Sequence, residues 1–323
     1  MDQLLQSLQE TANKAAEELK NNTEWITRYA GYASEIMEIQ ETIKDARKLF
    51  HERKPLYVYS SISRAKNRSQ VTFNLRYRGQ SVAEISYKKG KLLLKTNKNT
   101  KEFYGIEGGK TFEWNSKEAE IFRGGFAKCP DRINKRKKNE EHRFESALLT
   151  ELSKNKGSDK VLTNIQPVRL VESRFQMPTP FKASGGQPAY IGHKGGGIDL
   201  LCRTKHGNKS VLNIFELKDE YEDHEKVLQQ AVIYSVFIHK LLRSPDAGSN
   251  NWWKLFGFSK IPNTSLPLRI NAVIALPKNE KNVTSFKKEE ITVNGGTIQL
   301  HYLYFTLSKN DKVGVIETSL MKN

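Results

Sequence analysis

Two neighbouring apolar runs of this chain each carry an acid where a buried strand should have none. In GGGIDLLCRTKHGNKSVLNIFELKDE, from Gly195 to Glu220, strand-like residues flank the polar turn His206-Gly207-Asn208-Lys209. Asp199 lies in the first run, Glu216 in the second, and Lys218 two residues further on. A carboxylate taken out of water must be paired or bind a metal, so this stretch constrains the fold more than any bulk property. Side chains alternate along a strand, which puts Glu216 and Lys218 on one face and Phe215 and Leu217 on the other. A two-residue loop at Gly207-Asn208 pairs His206 with Lys209 and sets Asp199 opposite Glu216. A four-residue loop, 205–208, makes them diagonal neighbours on the same face; only an odd, unbulged loop separates them.

Two carboxylates brought together repel, and burial sharpens the repulsion. A divalent cation turns that liability into a site. Mg2+ takes oxygen ligands, keeps several waters and commonly sits on one or two carboxylates plus substrate phosphate oxygens. Lys218 on the same face supplies a compact positive charge beside a phosphodiester under attack. The tripeptide alone carries little weight, because Glu18-Leu19-Lys20 repeats it and Glu52-Arg53-Lys54 matches the pattern. What distinguishes Glu216-Leu217-Lys218 is its apolar strand and the acid on the strand before it.

The rest of the chain supplies a setting. Leu8, Ala12, Ala15 and Leu19, then Trp25, Ile26, Tyr29, Ala33, Ile36 and Ile43, recur at helical spacing. This predicts two helices as an antiparallel hairpin. From Leu56 the period shifts to two, through LYVYSSI, VTFNLRY, SVAEISY and KLLLKT, with turns at Arg78-Gly79 and Lys89-Gly90. These strands make an antiparallel β-meander, against which, or against a second subunit, the helical hairpin is expected to pack. Asn115 and Glu118 stand at capping-box spacing for a short helix. The stretch GGFAKCPDRINKRKKNE reads as a linker, which divides the chain into an α+β domain, 1–130, and a second domain, 131–323. The second domain reads α-β-β-β-α-β: a helix over EEHRFESALLTEL, a strand around 167–175, the acid-bearing hairpin, a long helix ending at Arg243, and a buried strand LRINAVIAL. A closing hairpin of 298–307 with 313–318 completes it.

Ile198-Asp199, the strand-turn-strand gap and Glu216-Leu217-Lys218, within that αβββαβ order, resemble the PD-(D/E)XK nuclease superfamily over residues 139–320. Gln230-Ala231-Val232-Ile233-Tyr234 looks like the Q-x-x-x-Y helix of its RecB-like branch. Ile198 stands in place of the namesake proline. The resemblance implies an α/β restriction-endonuclease-like core with a mixed sheet and a Mg2+ ion, for which Mn2+ would substitute. It implies metal ligation by Asp199, Glu216 and the Leu217 carbonyl, an assisting Lys218, and an upstream helical acid. Glu145 fits that last role, since it shares a helical face with Leu148, Leu149 and Leu152. Gln230 and Tyr234, one turn apart, would approach the nucleic acid; Tyr234 equally suits ordinary helix packing.

Charge points to the same class of partner. The chain carries a net +17, which favours a polyanion. Residues 54–101 hold 12 Lys/Arg against one acid, Glu84, whereas residues 1–53 hold 7 against 10. Arg76, Arg78, Lys88 and Lys89 of the meander are therefore candidates for phosphate contacts, which position a substrate without reading its sequence. Solvated strand faces are the plain alternative. Trp252, Trp253, Phe256 and Phe258 would stack on bases or, more ordinarily, anchor an insertion on the core. His193 and Lys194 precede a glycine triplet that reads as a connecting loop or one lying against a substrate backbone. The two cysteines lack metal-ligand spacing and no apolar run spans a membrane, so a cytoplasmic setting is expected. The reading is a Mg2+-dependent deoxyribonuclease, an endonuclease of restriction, defence or repair. A silent nucleic-acid-binding scaffold of the same fold and an RNA-processing nuclease are the alternatives. A homodimer would suit cutting of both strands.

Overall fold

The computed structural model describes residues 3–50, 55–62, 70–97, 108–128, 140–154, 160–206, 209–218, 224–263, 265–277 and 289–320. The basic run of the expected linker, Arg132 to Lys138, and the turn residues Gly207 and Asn208 lie outside them. The chain forms a mixed α/β structure in two compact units that interleave in sequence. One unit comprises 1–31, 144–168 and 177–323; the other comprises 32–143 and 169–176. The first helix thus belongs with the second half of the chain, rather than with a segment ending at 130. Among the described residues no helix is long and apolar enough to cross a membrane.

Helices α1 (Gln3–Asn21) and α2 (Glu24–Lys48) open the chain. The meander comes next as β1 (Leu56–Ser60), β2 (Gln70–Tyr77), β3 (Gln80–Lys88), β4 (Lys91–Thr96) and β5 (Thr111–Glu113). Then come helices α3 (Lys117–Lys128) and α4 (Glu140–Leu152). Short strands β6 (Ile165–Pro167), β7 (Arg174–Phe175), β8 (Met177–Pro178), β9 (Phe181–Lys182), β10 (Ala189–Tyr190) and β11 (Gly197–Ile198) lead to the hairpin β12 (Leu200–His206) and β13 (Lys209–Leu217). Helices α5 (His224–Arg243) and α6 (Ser249–Leu255) precede β14 (Leu268–Pro277), β15 (Glu290–Val293), β16 (Gly296–Leu307) and β17 (Val313–Thr318).

In the meander unit the sheet runs β5-β4-β3-β2-β1-β7, antiparallel except where β7 joins β1 in parallel. Arg78-Gly79 and Lys89-Gly90 both take positive φ, 46° and 80°, then 50° and 78°. That is the turn whose twist matches two-residue hairpins. Alternation sends Phe73, Leu75, Tyr77, Ala83, Ile85 and Leu94 to one buried face, where Phe50 meets Phe73 edge-on at 5.4 Å and Tyr77 meets Phe126 at 5.2 Å. Helix α3 is capped by Ser116, not Asn115: the Ser116 hydroxyl accepts the Ala119 N–H at 3.2 Å.

The other unit is built on a sheet ordered β15-β16-β14-β13-β12-β6, with β17 on β16. β6, β12 and β13 are successively antiparallel; β13, β14 and β16 run parallel. The central β14 is buried from Ile270 to Pro277, as expected of a parallel strand covered on both faces. Helix α5, the β13-to-β14 crossover, packs on both strands. It is buried on nearly every side, from Val227 through Ile233 and Phe237 to Leu242, so the sheet alone cannot cover it. That explains where α1 goes. The α1 stripe Leu8, Ala12, Ala15 and Leu19 is buried, and α1 packs on α5 and β15. Gln229 donates to Ser7 Oγ at 3.1 Å. Gln9 pairs its amide with the Thr292 backbone at 2.9 and 3.0 Å, closing the edge strand β15. The expectation that the helical hairpin as a whole covers the meander is corrected for its first helix, whose partner is α5; residues 32–48 of α2 do fall in the meander unit.

Across the middle of the sheet the buried amides Asn213 and Asn271 bond at 2.8 Å, and Asn213 donates to the Thr204 hydroxyl at 2.7 Å. Buried polar groups of this kind tolerate one pairing only, which fixes the register of β12, β13 and β14 together.

Candidate functional site

The β12–β13 register places the acids. His206 pairs with Lys209 and Leu200 with Phe215, so the step beyond β12 brings Asp199 level with Glu216. The pairing matches a two-residue loop. Asp199 Oδ2 accepts the Leu217 backbone N–H at 2.8 Å, which ties the carboxylate across the strand gap. Glu216 is 1 % exposed, and the Lys218 ammonium donates to its Oε1 at 2.7 Å. Lys218 is mostly buried as well, its side chain 15 % exposed. Three charged groups therefore share a small, largely dry volume at the end of two sheet strands.

Their mutual field is severe. The Asp199 carboxyl is held well above the usual aspartate range, first by burial and then by the Glu216 carboxylate. Glu145 adds to the rise, while Lys218 and the Leu217 N–H oppose it. A carboxylate so placed is stabilised by any added positive charge.

Helix α4 brings further acids. Phe144, Leu148, Leu149 and Leu152 bury its apolar side, with Phe144 edge-on to Phe305 at 5.7 Å. Glu145 is buried at 2 % exposure beside them and close enough to act on Asp199. The helix is unbroken from Glu140 to Leu152, so its register sets Glu141 one turn ahead of Glu145 on the same side. Sequence reasoning singled out Glu145, and the helix brings it close enough to act on Asp199.

From α5 come Gln230 and Tyr234, joined at 3.5 Å from the Gln230 amide to the Tyr234 hydroxyl. Burial pushes the Tyr234 phenol up, with Glu216 and then Asp199 adding to it. The glycine triplet explains this approach. A Cβ on Gly196 would fall 2.8 Å from the Tyr234 hydroxyl, and one on Gly195 would fall 1.8 Å from the Thr179 carbonyl oxygen. The segment is a packed passage that excludes side chains, instead of a loose loop.

The other candidates separate by environment. Trp252, Trp253 and Phe256 are buried; Trp252 lies 5.6 Å from Phe256 and Trp253 lies 4.7 Å from Phe258. These aromatics anchor α6 and are not a stacking platform. In the meander unit Arg76 is half-buried over the Tyr59 ring at 4.3 Å and donates to Gln176 at 3.2 Å. Arg78 is half-buried over Tyr77 at 5.6 Å. Lys88 and Lys89 are exposed at the β3–β4 turn. Leu217 has a fully buried side chain and offers its backbone on the strand between the acid and the lysine.

Comparisons with family models, with curated proteins and with solved structures give no match for this chain.

Proposed function

We propose that the chain is a metal-dependent phosphodiesterase acting on nucleic acid, DNA in particular, with a core of the restriction-endonuclease type. The observation that carries the reading is the convergence of Asp199 and Glu216 from paired strands with Lys218 bonded to the second of them. The elements α4, β6, β12, β13, α5 and β14 follow one another in that order, with the short strands β7 to β11 inserted after β6, and their two antiparallel steps and one parallel step support the superfamily resemblance. The strongly basic composition favours the polyanionic substrate.

The donor set suits a hard divalent cation: oxygen ligands only, from Asp199 and Glu216, with the Leu217 carbonyl next along the strand from Glu216. Burial first and the Glu216 carboxylate second raise the Asp199 pKa, and a cation held there would oppose both. When bound, Mg2+ supplies polarisation of the phosphodiester and neutralisation of the leaving oxygen. The protein's own groups do the rest. Asp199 is oriented by the Leu217 N–H and Glu216 by the Lys218 ammonium, so neither carboxylate swings. Lys218 places a full positive charge where negative charge grows on the phosphoryl oxygens. Glu145, buried nearby, maintains the local field that favours cation entry. In the overall reaction a water oxygen bonds to phosphorus, one ester P–O bond breaks, and the departing oxygen leaves as an alcohol carrying a proton.

The test is plasmid nicking with Mg2+ or Mn2+, set against EDTA. Asp199→Asn and Lys218→Ala are expected to abolish cleavage and to leave DNA affinity largely intact. Full cleavage by both purified variants, or binding without nicking in every metal by the native protein, would sink the proposal. Labelled RNA run beside DNA reads the substrate class.

A further inference from the structure

The turn leading into Asp199 carries a histidine that the proposed chemistry leaves unused. β8 pairs with β11 and β9 with β10. The Ile191 N–H donates to the Pro180 carbonyl at 2.9 Å, the Gly196 N–H to Phe181 at 2.7 Å and the Thr179 N–H to Gly196 at 2.8 Å. These bonds hold a compact flap in which the single 3-10 turn Gly192–Lys194 stands five residues ahead of Asp199. His193 is exposed there.

Helix α2 delivers a guanidinium to the same place. The two terminal nitrogens of Arg28 lie 3.6 and 3.7 Å from where a Cβ on Gly192 would sit. The start of α2 is pinned: Trp25 and Tyr29 meet Phe237 edge-on at 6.0 and 4.8 Å, and the Tyr29 hydroxyl donates to the Pro178 carbonyl at 2.8 Å. Phe237 lies three residues beyond Tyr234 on α5, so Arg28 is anchored to the helix that flanks the carboxylates. The neighbouring acid Glu24 accepts a hydrogen bond from the Tyr190 hydroxyl at 3.1 Å. Arg28 is half-buried, and its Nη1 meets no hydrogen-bond acceptor among the described residues. A shielded charged donor without an acceptor is costly, and the planar fork of an arginine matches a pair of phosphate oxygens.

We propose that Arg28 and the Gly192–Lys194 turn form an anion subsite for a backbone phosphate of the same nucleic-acid strand whose scissile diester lies at Asp199 and Glu216. The inference rests on the nuclease reading for its ligand, though its geometry is independent of the metal. The contact is to phosphate, so it positions the strand and carries no base preference.

The experiment is equilibrium binding of a fluorescent DNA duplex in EDTA, where no cleavage occurs, over a range of salt. Arg28→Met keeps the aliphatic stem and removes the charge; Arg28→Lys restores the charge without the fork. Arg28→Met should bind roughly tenfold more weakly, as loss of one charge-assisted hydrogen bond implies. The slope of log affinity against log salt should fall by about one. Arg28→Lys should recover the slope but not the full affinity. Unfolding curves for both variants that overlay the native one keep a folding defect from mimicking the result. If Arg28→Met matches the native protein in affinity and slope, the subsite is wrong, whether or not the protein cleaves. If the slope depends on Arg28 but the native protein never nicks DNA, the subsite stands and the nuclease reading fails. A native protein that binds no DNA overturns both.

Discussion

His239 allows a quantitative check on the packing of α5. Its side chain is fully buried, and neither ring nitrogen has a well-formed hydrogen bond among the described residues. A Cβ added to Gly296 at the start of β16 would lie 2.7 Å from Nε2, so the ring is wedged against the sheet. Burial lowers its pKa from 6.5 to about 4, with Arg243 and Lys240 adding to the drop and the nearby Leu268 backbone opposing it. The sign comes from linkage: between those two values the unfolded chain binds the proton and the folded chain does not. The full stability is therefore present above pH 6.5 and is withdrawn as the pH falls towards 4. At about 1.4 kcal/mol per pH unit, the loss is about 3 kcal/mol. The measurement is denaturant unfolding at a series of pH values for the native protein and for His239→Leu, which keeps an apolar side chain of similar bulk and does not titrate. Three of the four tryptophans, Trp25, Trp252 and Trp253, lie in the unit that holds His239, so their fluorescence reports the right transition. Other carboxylates titrate in both proteins and cancel in the difference. The stability gap between the two should move in favour of His239→Leu by about 3 kcal/mol from pH 7 to pH 4. A gap that stays constant refutes the buried, neutral imidazole.

Asp199→Asn should raise the melting temperature of the metal-free protein at neutral pH, because it removes a carboxylate held among like charges and keeps an oxygen for the Leu217 N–H. The shift in melting temperature on adding Mg2+ or Mn2+ should vanish in the same variant, and a variant that melts lower in EDTA contradicts the account. Leu8→Ala, in the fully buried α1 stripe, should cost about 2–5 kcal/mol, read in the transition reported by Trp25, Trp252 and Trp253. A near-neutral effect would mean that α1 is not part of that unit in solution.

Much of the site was legible in the sequence because a strand hairpin is a local object. The pairing of His206 with Lys209 comes from turn length, and the facing of Asp199 and Glu216 from a period of two. The long helices are set by apolar spacing in the same way, and EEHRFESALLTEL is α4 residue for residue. Short elements were hidden. β15 is four residues long and α6 seven, too short for any periodicity to stand out, and the cap of α3 moved one residue because serine and asparagine compete for the role.

The sequence by itself determined which residues are charged inside apolar strands, which long helices exist, and how strongly the net charge favours a polyanion. Each of these depends on composition or on contacts within a few residues. Only the tertiary structure decided that α1 belongs over α5, since that choice depends on how much of α5 the sheet leaves bare. Tertiary structure alone also brought Glu145 close enough to act on Asp199, and packed Gly195 and Gly196 against Thr179 and Tyr234. The physical reason is the same each time: long-range packing is set by the space that remains after the local elements have formed, and no local pattern records that space.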